Sequence, residues 1–282
     1  MEKLFKLLSE MKILNTKKNN KLDLQNLFSV ENKNILITGA GGLLGRVYTS
    51  SLLSAGASVI AIDKNKILDF DKKLNSEFGN DFQDLERLFT YKLDITSSDS
   101  VKKFFGEEII NEKWYKDGFD VLINNASLVK QVQKNNLTSA YSMFENQEKR
   151  DWDEYLQVDV VGALHMVQGV IPSMKKKGNG VIINISSTYG NVSPDQRLYE
   201  SLVIDNKDMG IEKPIGYSVS KSAVLNMTRH LATLYAKNGI RVNTLTPGGV
   251  FDDNPKEFVN EYSNRTPLGR MADRMEYAGP IL

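Results

Sequence analysis

Short runs rich in valine and isoleucine alternate along the chain with longer helical segments, and this alternation constrains the fold most. The predicted strands are NILIT (34–38), SVIAI (58–62), YKL (91–93), VLIN (121–124), VIINIS (181–186) and IRVNTL (240–245). Helices are predicted at about 42–55, in the polar region that follows the second strand, and at about 98–110, 151–176 and 217–237. Strands this apolar are buried on both faces, which is typical of a parallel sheet covered by helices. With right-handed crossovers, the sequence predicts an α/β fold with one doubly wound parallel sheet of the Rossmann type.

The chain is predicted to contain a short N-terminal extension and one large domain. Residues 1–32 are rich in Lys and Asn, and Leu4, Leu8 and Met11 share a helical face, which favours a short docking helix. This segment has no unbroken apolar run of the kind found in signal peptides or membrane spans, so we expect no membrane association. No repeat or low-complexity linker divides residues 33–282.

Composition excludes several classes of function. Lys and Arg number 36 against 35 Asp and Glu, so no broad positive field is expected to attract nucleic acid. The chain has no cysteine, which removes disulfides and thiolate sites and fits a cytoplasmic location. Its two histidines, His165 and His230, fall in predicted helices, so we expect no metal site.

A glycine-rich segment, TGAGGLLG (38–45), lies between the first strand and the first helix. Gly39, Gly42 and Gly45 would let a pyrophosphate approach backbone N–H groups and the positive end of the helix dipole. In this strand–turn–helix context the segment predicts a dinucleotide-binding site.

The acidic residue Asp63 ends the second predicted strand, eighteen residues after Gly45. A carboxylate there can accept both ribose hydroxyls of the adenosine and would repel a 2′-phosphate, which favours NAD over NADP. The adjacent Lys64 either offsets this charge or points to solvent, and the sequence leaves both readings open.

Tyr217 and Lys221 are four residues apart in a predicted helix, so their side chains share a face. A free tyrosine has a pKa of about 10 and is a poor base at neutral pH. The ammonium group, together with a cationic nicotinamide, would favour the phenolate. Tyr217 is therefore the predicted general acid/base for interconverting an alcohol and a ketone, and Lys221 is predicted to lower its pKa.

The order of six phrases resembles the short form of the short-chain dehydrogenase/reductase family over about residues 33–280. These are TGAGGLLG, LDIT (93–96), NNAS (124–127), ISS (185–187), YSVSK (217–221) and RVNTLTPGG (241–249). The resemblance implies an NAD(P)-dependent oxidoreductase that acts on a small molecule. It also implies a homodimer or homotetramer that pairs through the helices near 151–176 and 217–237.

Further site residues follow from the resemblance alone. Ser187, the second of the serine pair, would hydrogen-bond the substrate oxygen, with Ser186 as the alternative. Lys221 would also hold the nicotinamide ribose. The remaining cofactor contacts that it implies are Leu43, Leu44, Asp94, Ile95, Asn125, Ala126, Pro247, Gly248 and Val250.

The sequence departs from the family's common pattern in four places. The glycine spacing is closer to that of sugar-nucleotide epimerases and dehydratases of the same superfamily. Asp159, in VDVVG, stands where the proton-relay asparagine is usual; a carboxylate could hold the same water and keep Lys221 protonated, or relay could be impaired. Tyr217 follows Ser187 by thirty positions, a longer interval than is usual. The sequence also stops before the family's final edge strand, so residues 33–282 are either a fragment of a longer domain or a domain without that strand, and the sequence leaves both readings open.

The long segment between Ser187 and Tyr217 is rich in hydrogen-bonding groups, which favours a polar substrate such as a sugar, sugar acid or polyol over an acyl chain or sterol. Within it, Arg197 could meet a carboxylate or phosphate. The segment also resembles relatives associated with bacterial surface-sugar modification. Two alternatives remain: a nucleotide-sugar epimerase or dehydratase that uses NAD transiently, and a catalytically impaired cofactor-binding protein.

Overall fold

Six parallel strands form one sheet in the order β3-β2-β1-β4-β5-β6. The computed structural model describes residues 29–79, 85–128, 143–199 and 212–282. The strands are β1 (Asn34–Thr38), β2 (Ser58–Asp63), β3 (Leu88–Lys92), β4 (Val121–Asn124), β5 (Gly180–Ile185) and β6 (Ile240–Leu245). The predicted fold class is confirmed. Residues 1–28, which include the predicted docking helix, lie outside the described residues.

Helices cover both faces of this sheet. They are α1 (Leu43–Ser54), α2 (Phe70–Phe78), α3 (Ser98–Lys103), α4 (Lys149–Leu156), α5 (Ala163–Lys177), α6 (Thr188–Asn191), α7 (Ile215–Tyr235) and α8 (Lys256–Arg265). Short 3-10 turns lie at Leu85–Arg87, Lys113–Asp117, Phe144–Asn146, Gln196–Leu198, Ala236–Asn238 and Arg274–Tyr277. Among the described residues, no helix has the length and apolar character needed to cross a membrane.

Residues of β1 point alternately into two separate cores, as expected for a strand covered on both sides. Leu36 packs with Phe104 and Met166 on one face. Ile35 and Ile37 pack on the other face with side chains of α1 and α2. The near-continuous apolar runs in the sequence therefore reflect burial on both faces of the sheet.

Two predicted helices are interrupted by π-helical turns. The helix predicted at 98–110 is regular only over Ser98–Lys103 and widens at Phe104–Glu108. The helix predicted at 151–176 begins at Lys149, widens at Gln157–Gly162 and resumes at Ala163. A π turn inserts one residue into the helical repeat, and such turns are common at functional sites.

A buried ladder of polar side chains joins the ends of three strands to α7. The Asn124 amide donates to Asn184 Oδ1 at 2.9 Å, and the Asn184 amide donates to Thr228 Oγ1 at 2.9 Å. Thr244 Oγ1 lies 2.8 Å from the same Thr228 oxygen. Asn124, Asn184 and Thr244 are register partners on β4, β5 and β6. The ladder therefore fixes these strand ends relative to the helix that carries Tyr217.

Substitution of Asn184 by alanine should destabilise the domain. The change removes the acceptor for Asn124 and the donor to Thr228, and leaving buried polar groups unpaired costs about 1–3 kcal/mol. We expect the free energy of unfolding, measured in urea, to fall by about that amount. The exposed Asn243 on β6 is a matched control, and Asn243→Ala should change stability little. Equal effects of the two substitutions would contradict a stabilising role for the ladder.

Candidate functional site

A cavity of about 650 Å³ opens at the carboxyl edge of the sheet. It lies where β1 is flanked by β2 on one side and β4 on the other, the point at which strand order reverses. All fifteen residues predicted to contact the cofactor line it: Gly39, Gly42, Leu43, Leu44, Gly45, Asp63, Asp94, Ile95, Asn125, Ala126, Tyr217, Lys221, Pro247, Gly248 and Val250. Ser187 lines it as well, and Asp159 does not. The structure thus brings the candidates together, while their roles in binding stay predictions.

The glycine-rich turn places the start of α1 directly against the end of β1. Gly39 has φ +64°, a conformation that favours glycine, and a Cβ there would lie 2.7 Å from Ala126 Cα. A Cβ at Gly45 would overlap the carbonyl oxygen of Gly39. Gly42 precedes α1 without a side-chain cap, and the first turn contains no acidic residue. The backbone N–H groups at this helix end therefore have the surroundings that a pyrophosphate requires.

Thr38 and Asn125 hold the glycine-rich turn to the end of β4. Thr38 Oγ1 accepts the backbone N–H groups of Asn125 at 3.1 Å and Ala126 at 3.0 Å. The Asn125 amide donates to the carbonyl oxygens of Thr38 and Gly39, both at 3.0 Å. Asn125 therefore shapes the turn as well as lining the cavity. Thr38 was not among the predicted site residues, although a hydroxyl at a strand end next to the glycines could have indicated it.

Asp63 lines one end of the cavity and is oriented by two backbone groups. Its Oδ2 accepts the Gly41 N–H at 3.1 Å, and its Oδ1 accepts the Asn65 N–H at 3.0 Å. A carboxylate has about four acceptor positions, so each oxygen can still accept a further hydrogen bond. The neighbouring Lys64 lies 3.5 Å from Asp94, with its side chain 74% exposed. The Lys64 charge is therefore directed toward Asp94 as well as solvent.

The Asp94 carboxylate is fixed by the residue two positions along. Thr96 donates to Asp94 Oδ1 from both its backbone N–H, at 3.0 Å, and its hydroxyl, at 2.7 Å. Partial burial acts to raise the pKa of Asp94, but the Thr96 hydrogen bonds and the nearby Lys64 lower it below its usual range. The hydrogen bonds from Thr96 and the charge of Lys64 therefore favour the ionised form of Asp94.

At the other end of the cavity, Ser187, Tyr217 and Lys221 converge from β5 and α7. Ser187 lies two residues after the end of β5. It is 7% exposed, and its side-chain oxygen accepts the Tyr189 N–H at 3.2 Å. Lys221 is 3% exposed and donates to the Ile185 carbonyl oxygen at 3.0 Å. The hydroxyl of Ser186 instead donates to the Lys221 carbonyl oxygen at 2.8 Å. Of the two serines, Ser187 therefore has the hydroxyl nearer to the tyrosine.

Burial dominates the proton affinity of Tyr217. It raises the pKa of Tyr217 to about 12; a hydrogen bond with Ser187 opposes the rise, and the charge of Asp159 adds to it. The lowering expected from Lys221 does not prevail, because Lys221 Nζ lies 5.9 Å from the ring centroid and is directed toward Ile185 and Asp159. The protein's own groups thus favour the neutral phenol, the proton-donating form.

Asp159 lies behind Lys221, in the π turn Gln157–Gly162. Its Oδ2 is 3.6 Å from Lys221 Nζ and accepts the Ser220 hydroxyl at 2.7 Å. Its Oδ1 accepts the Leu128 N–H at 3.2 Å. Burial lowers the pKa of Lys221, and Asp159 offsets part of that effect. The carboxylate therefore supports the charged form of Lys221, as the sequence suggested for an acid at this position.

Two tyrosines from outside the recognised motifs hold the loop that follows β6. The Gly248 N–H donates to Tyr277 Oη at 3.0 Å, and the Gly249 N–H donates to Tyr262 Oη at 2.6 Å. The Ala272 N–H also donates to the Gly249 carbonyl oxygen at 2.9 Å. Sequence reasoning missed both tyrosines, because no local pattern connects them with the Pro-Gly-Gly turn.

The described part of the long segment after Ser187 contributes some of its polar side chains to the cavity. Tyr189 and Tyr199 line it, whereas Arg197 does not. Arg197 pairs with Asp195 through Nε at 2.8 Å and Nη2 at 2.6 Å, and its contact with a substrate anion stays a prediction. Leu198 and Tyr199 are buried, and Tyr199 packs on Phe258 of α8. Residues 200–211, including the polar Glu200, lie outside the described residues.

The two histidines have no role in the cavity. His165 Nδ1 lies 2.9 Å from the Ile95 carbonyl oxygen, and His230 lies on the exposed side of α7. Within the described ranges, no group of three or more His, Asp or Glu side chains is arranged to hold a metal ion.

Comparison with known proteins identifies sequence relatives along most of the chain. The family model described as short chain dehydrogenase matches residues 33–201 and 205–262. A 3-oxoacyl-acyl-carrier-protein reductase of Thermotoga maritima is 29% identical over 263 residues, covering 90% of each chain. A 2-dehydro-3-deoxy-D-gluconate 5-dehydrogenase of Bacillus subtilis is 26% identical, covering 91% of this chain and 88% of its own.

A solved structure has the same overall arrangement. A short chain dehydrogenase from Leptospira borgpetersenii with bound NAD+ superposes with a TM-score of 0.72 at 26% identity. The match covers 95% of this chain and 90% of that one.

Proposed function

This chain belongs to the short-chain dehydrogenase family of NAD(P)-dependent oxidoreductases, and we propose that it interconverts a secondary alcohol and a ketone on a polar, sugar-like substrate with NAD. The observation that carries this proposal is the convergence of Ser187, Tyr217 and Lys221 at one end of a cavity whose other end contains the glycine-rich turn and Asp63.

The cavity suits a dinucleotide in shape and in hydrogen-bonding groups. The uncapped start of α1 would hold the pyrophosphate, and Asp63 would accept the adenosine ribose hydroxyls. Asp94 and Ile95 would flank the adenine, and the loop Pro247–Val250 would close over the nicotinamide. The hydroxyl of Ser127 lines the same cavity and has no hydrogen-bond partner among the described residues, which fits a polar ligand at this point. Bound NAD supplies the acceptor for the hydride that leaves the alcohol carbon.

The charges around Asp63 support NAD over NADP. A 2′-phosphate beside Asp63 would place two anions in contact unless cations compensated for them. Lys64 is near Asp94, and Arg46 is bound by Glu77 at 2.7 Å and by the Gly41 carbonyl oxygen at 2.7 Å. Arg274 also pairs with Glu77. Lys64, Arg46 and Arg274 thus each have an oxygen partner other than Asp63.

Four side chains would take part in the proton transfer or support it. In the oxidative direction, the substrate hydroxyl would donate its proton to the phenolate of Tyr217. The carbon that carries this hydroxyl would lose a hydride, and its C–O bond would become a carbonyl. Ser187, which hydrogen-bonds Tyr217, would also hold the substrate oxygen and stabilise its developing charge. Lys221 would hold the nicotinamide ribose, and Asp159 would keep Lys221 charged. Reduction reverses these steps, with Tyr217 as the acid.

The cavity lining near Tyr217 supports a substrate with several hydroxyl groups. Tyr189, Tyr199 and Asn254 add polar groups to those of Ser187 and Tyr217. The Bacillus relative acts, by its name, on a sugar derivative. The resemblance of the loop after Ser187 to relatives associated with bacterial surface-sugar modification supports the same class.

We also propose that the chain assembles as a homodimer or homotetramer through α4–α5 and α7. Ile215, Val219 and Leu234 of α7 are apolar and between 44% and 55% exposed. In the segment predicted as a helix at 151–176, Val160, Val161 and Leu164 are half-buried, whereas Val167 is buried in the core. All of these side chains except that of Val167 are therefore exposed enough to contact a second copy of the chain.

Substitution of Tyr217 by phenylalanine tests the reaction. We expect kcat/KM to fall about 10²- to 10⁴-fold, the usual contribution of general acid–base catalysis, while NAD affinity is unchanged. A panel of sugars, sugar acids and polyols is assayed with NAD and NADP by the absorbance of the reduced nicotinamide. Tyr235→Phe, at the far end of α7, is the control and should keep full activity.

Two outcomes would replace the proposal with an alternative. NAD binding without turnover in the wild-type protein would indicate a catalytically impaired cofactor-binding protein. Tightly bound NAD with no net reduction, together with epimerisation or dehydration of a nucleotide sugar, would indicate transient use of the cofactor. The glycine spacing of Gly39, Gly42 and Gly45 is the feature that favours this second alternative.

Substitution of Asp63 by serine should weaken NAD binding and improve the use of NADP. Losing hydrogen bonds from a charged acceptor should raise KM for NAD about 10- to 100-fold. Removing the negative charge should lower KM for NADP. The exposed Asp117 provides the control variant Asp117→Ser. A cofactor preference that does not change would show that Asp63 does not select the cofactor.

Substitution of Asp159 by asparagine should shift the pH dependence of alcohol oxidation to lower pH. Oxidation requires the phenolate of Tyr217, so its rate rises with pH. Because the Asp159 charge raises the pKa of Tyr217, removing that charge lowers this pKa. The measurement is kcat/KM against pH, with Asp153→Asn, on the exposed side of α4, as the control. A shift to higher pH would contradict this electrostatic role.

A further inference from the structure

The 3-10 turn Arg274–Tyr277 belongs to none of the recognised motifs, yet its first and last residues are both linked to segments that line the cavity. Side chains three positions apart in a 3-10 helix lie on the same side of it. Arg274 and Tyr277 have this spacing, so they extend from one face of the turn. Each of them is linked to a different wall of the cavity, as the following contacts show.

The turn itself is held by hydrogen bonds within it and by packing on α1. Asp273 Oδ1 accepts the Met275 N–H at 2.7 Å, and Glu276 Oε1 accepts the Asp273 N–H at 2.9 Å. Such a reciprocal capping arrangement fixes the start of a helical turn. Ile281 is 4% exposed and lies in the same core cluster as side chains of α1. The turn therefore has a defined position beside the helix that follows the glycine-rich segment.

Tyr277 links the turn to the loop that follows β6. Its Oη accepts the Gly248 N–H at 3.0 Å, and its ring is half-buried against the core. Gly248 lines the cavity at the same end as Tyr217, in the loop that would close over the nicotinamide. The phenol of Tyr277 thus holds one wall of the cavity.

Arg274 links the turn to the glycine-rich segment through two further side chains. It pairs with Glu77 of α2, and its guanidinium carbon lies 5.5 Å from the centroid of the Phe78 ring. Glu77 also accepts Arg46 Nε at 2.7 Å. Arg46 Nη1 in turn donates to the Gly41 carbonyl oxygen at 2.7 Å. An unbroken series of charged contacts therefore joins the turn to the wall that would hold the pyrophosphate.

The two oxygens of Glu77 are divided between two arginines. Oε1 accepts from Arg274 and Oε2 from Arg46. The side chains of Glu77 and Arg46 are 14% and 17% exposed, so solvent screens this network less than it screens a surface ion pair. Beyond Arg46, the Gly41 N–H donates to Asp63 Oδ2 at 3.1 Å. The series thus ends at a residue that also orients Asp63.

We propose that Arg274 and Tyr277 are positioning residues for the cofactor, which together hold the glycine-rich segment and the loop after β6 at the separation that NAD requires. This inference rests on the proposed function, since it concerns the cofactor of the same site. A dinucleotide contacts both walls at once. Walls that are already at the right separation reduce the free energy that binding would otherwise spend on ordering them.

The test is a double-mutant cycle with Arg274→Met, Tyr277→Phe and the double variant, read as the Kd for NAD and for ADP-ribose. Calorimetric titration gives both values without turnover. ADP-ribose lacks the nicotinamide and so does not need the loop after β6. Lys177→Met is the matched control, because Lys177 is 26% exposed, compared with 32% for Arg274, and pairs with Asp120 at the opposite edge of the sheet.

We expect each single substitution to raise the Kd for NAD about 3- to 10-fold, since each releases one wall. The double variant should be no weaker than the weaker single variant, because the fixed separation is lost in either. Arg274→Met should also weaken ADP-ribose, whereas Tyr277→Phe should not. Arg274→Lys should restore part of the affinity for NAD. Lys177→Met should lower the free energy of unfolding and leave both Kd values unchanged.

Four results would overturn the inference. Unchanged NAD affinity in both single variants would leave the turn a structural role alone. Additive effects would show two independent contacts. The same coupling with ADP-ribose would show that the nicotinamide end is not involved, and weaker NAD binding in Lys177→Met would show that affinity follows stability. Failure of the proposed function is distinguishable, because NAD would then bind with the coupling intact while no substrate of the panel reduced it.

Discussion

The hydroxyl of Thr38 accepts two backbone N–H groups from the end of β4, and the site is organised around this junction. Parallel strands all end at one edge, but the edge becomes a binding cleft only where neighbouring connections leave in opposite directions. β1 and β4 are the two strands at that reversal. Asn125 then holds the carbonyl oxygens of Thr38 and Gly39, so the turn that begins α1 is fixed against both strands.

The carboxyl edge also separates charge along the cavity. Asp63 and Asp94 follow β2 and β3 on one side of this junction, whereas Lys213 and Lys221 come from the start of α7 on the other. The buried ladder through Asn124, Asn184 and Thr228 joins β4 and β5 to α7, which fixes the helix that carries Tyr217 and Lys221 against the carboxyl edge of the sheet.

Sequence reasoning worked best where the signal was local. The β1 run and the glycine-rich turn are contiguous, so both could be read directly, and the six strands lie close to their predicted positions. The π turn at Gln157–Gly162 left no such pattern, because the helix on either side has ordinary composition. Tyr262 and Tyr277 contact the Pro-Gly-Gly turn only through tertiary folding. The ion pair between Arg197 and Asp195 was also not predicted, although the two residues are only two positions apart.

Asp159 shows how one substitution within a familiar pattern changes the electrostatics of the whole site. A buried ammonium is costly without a counter-charge, and Asp159 provides one for Lys221 at 3.6 Å. The same carboxylate raises the pKa of Tyr217, so it opposes the phenolate that alcohol oxidation requires. An asparagine would orient Ser220 without either charge effect. In the proposed reaction, the positive charge of the oxidised nicotinamide would oppose the effects of burial and of Asp159 and favour the phenolate of Tyr217.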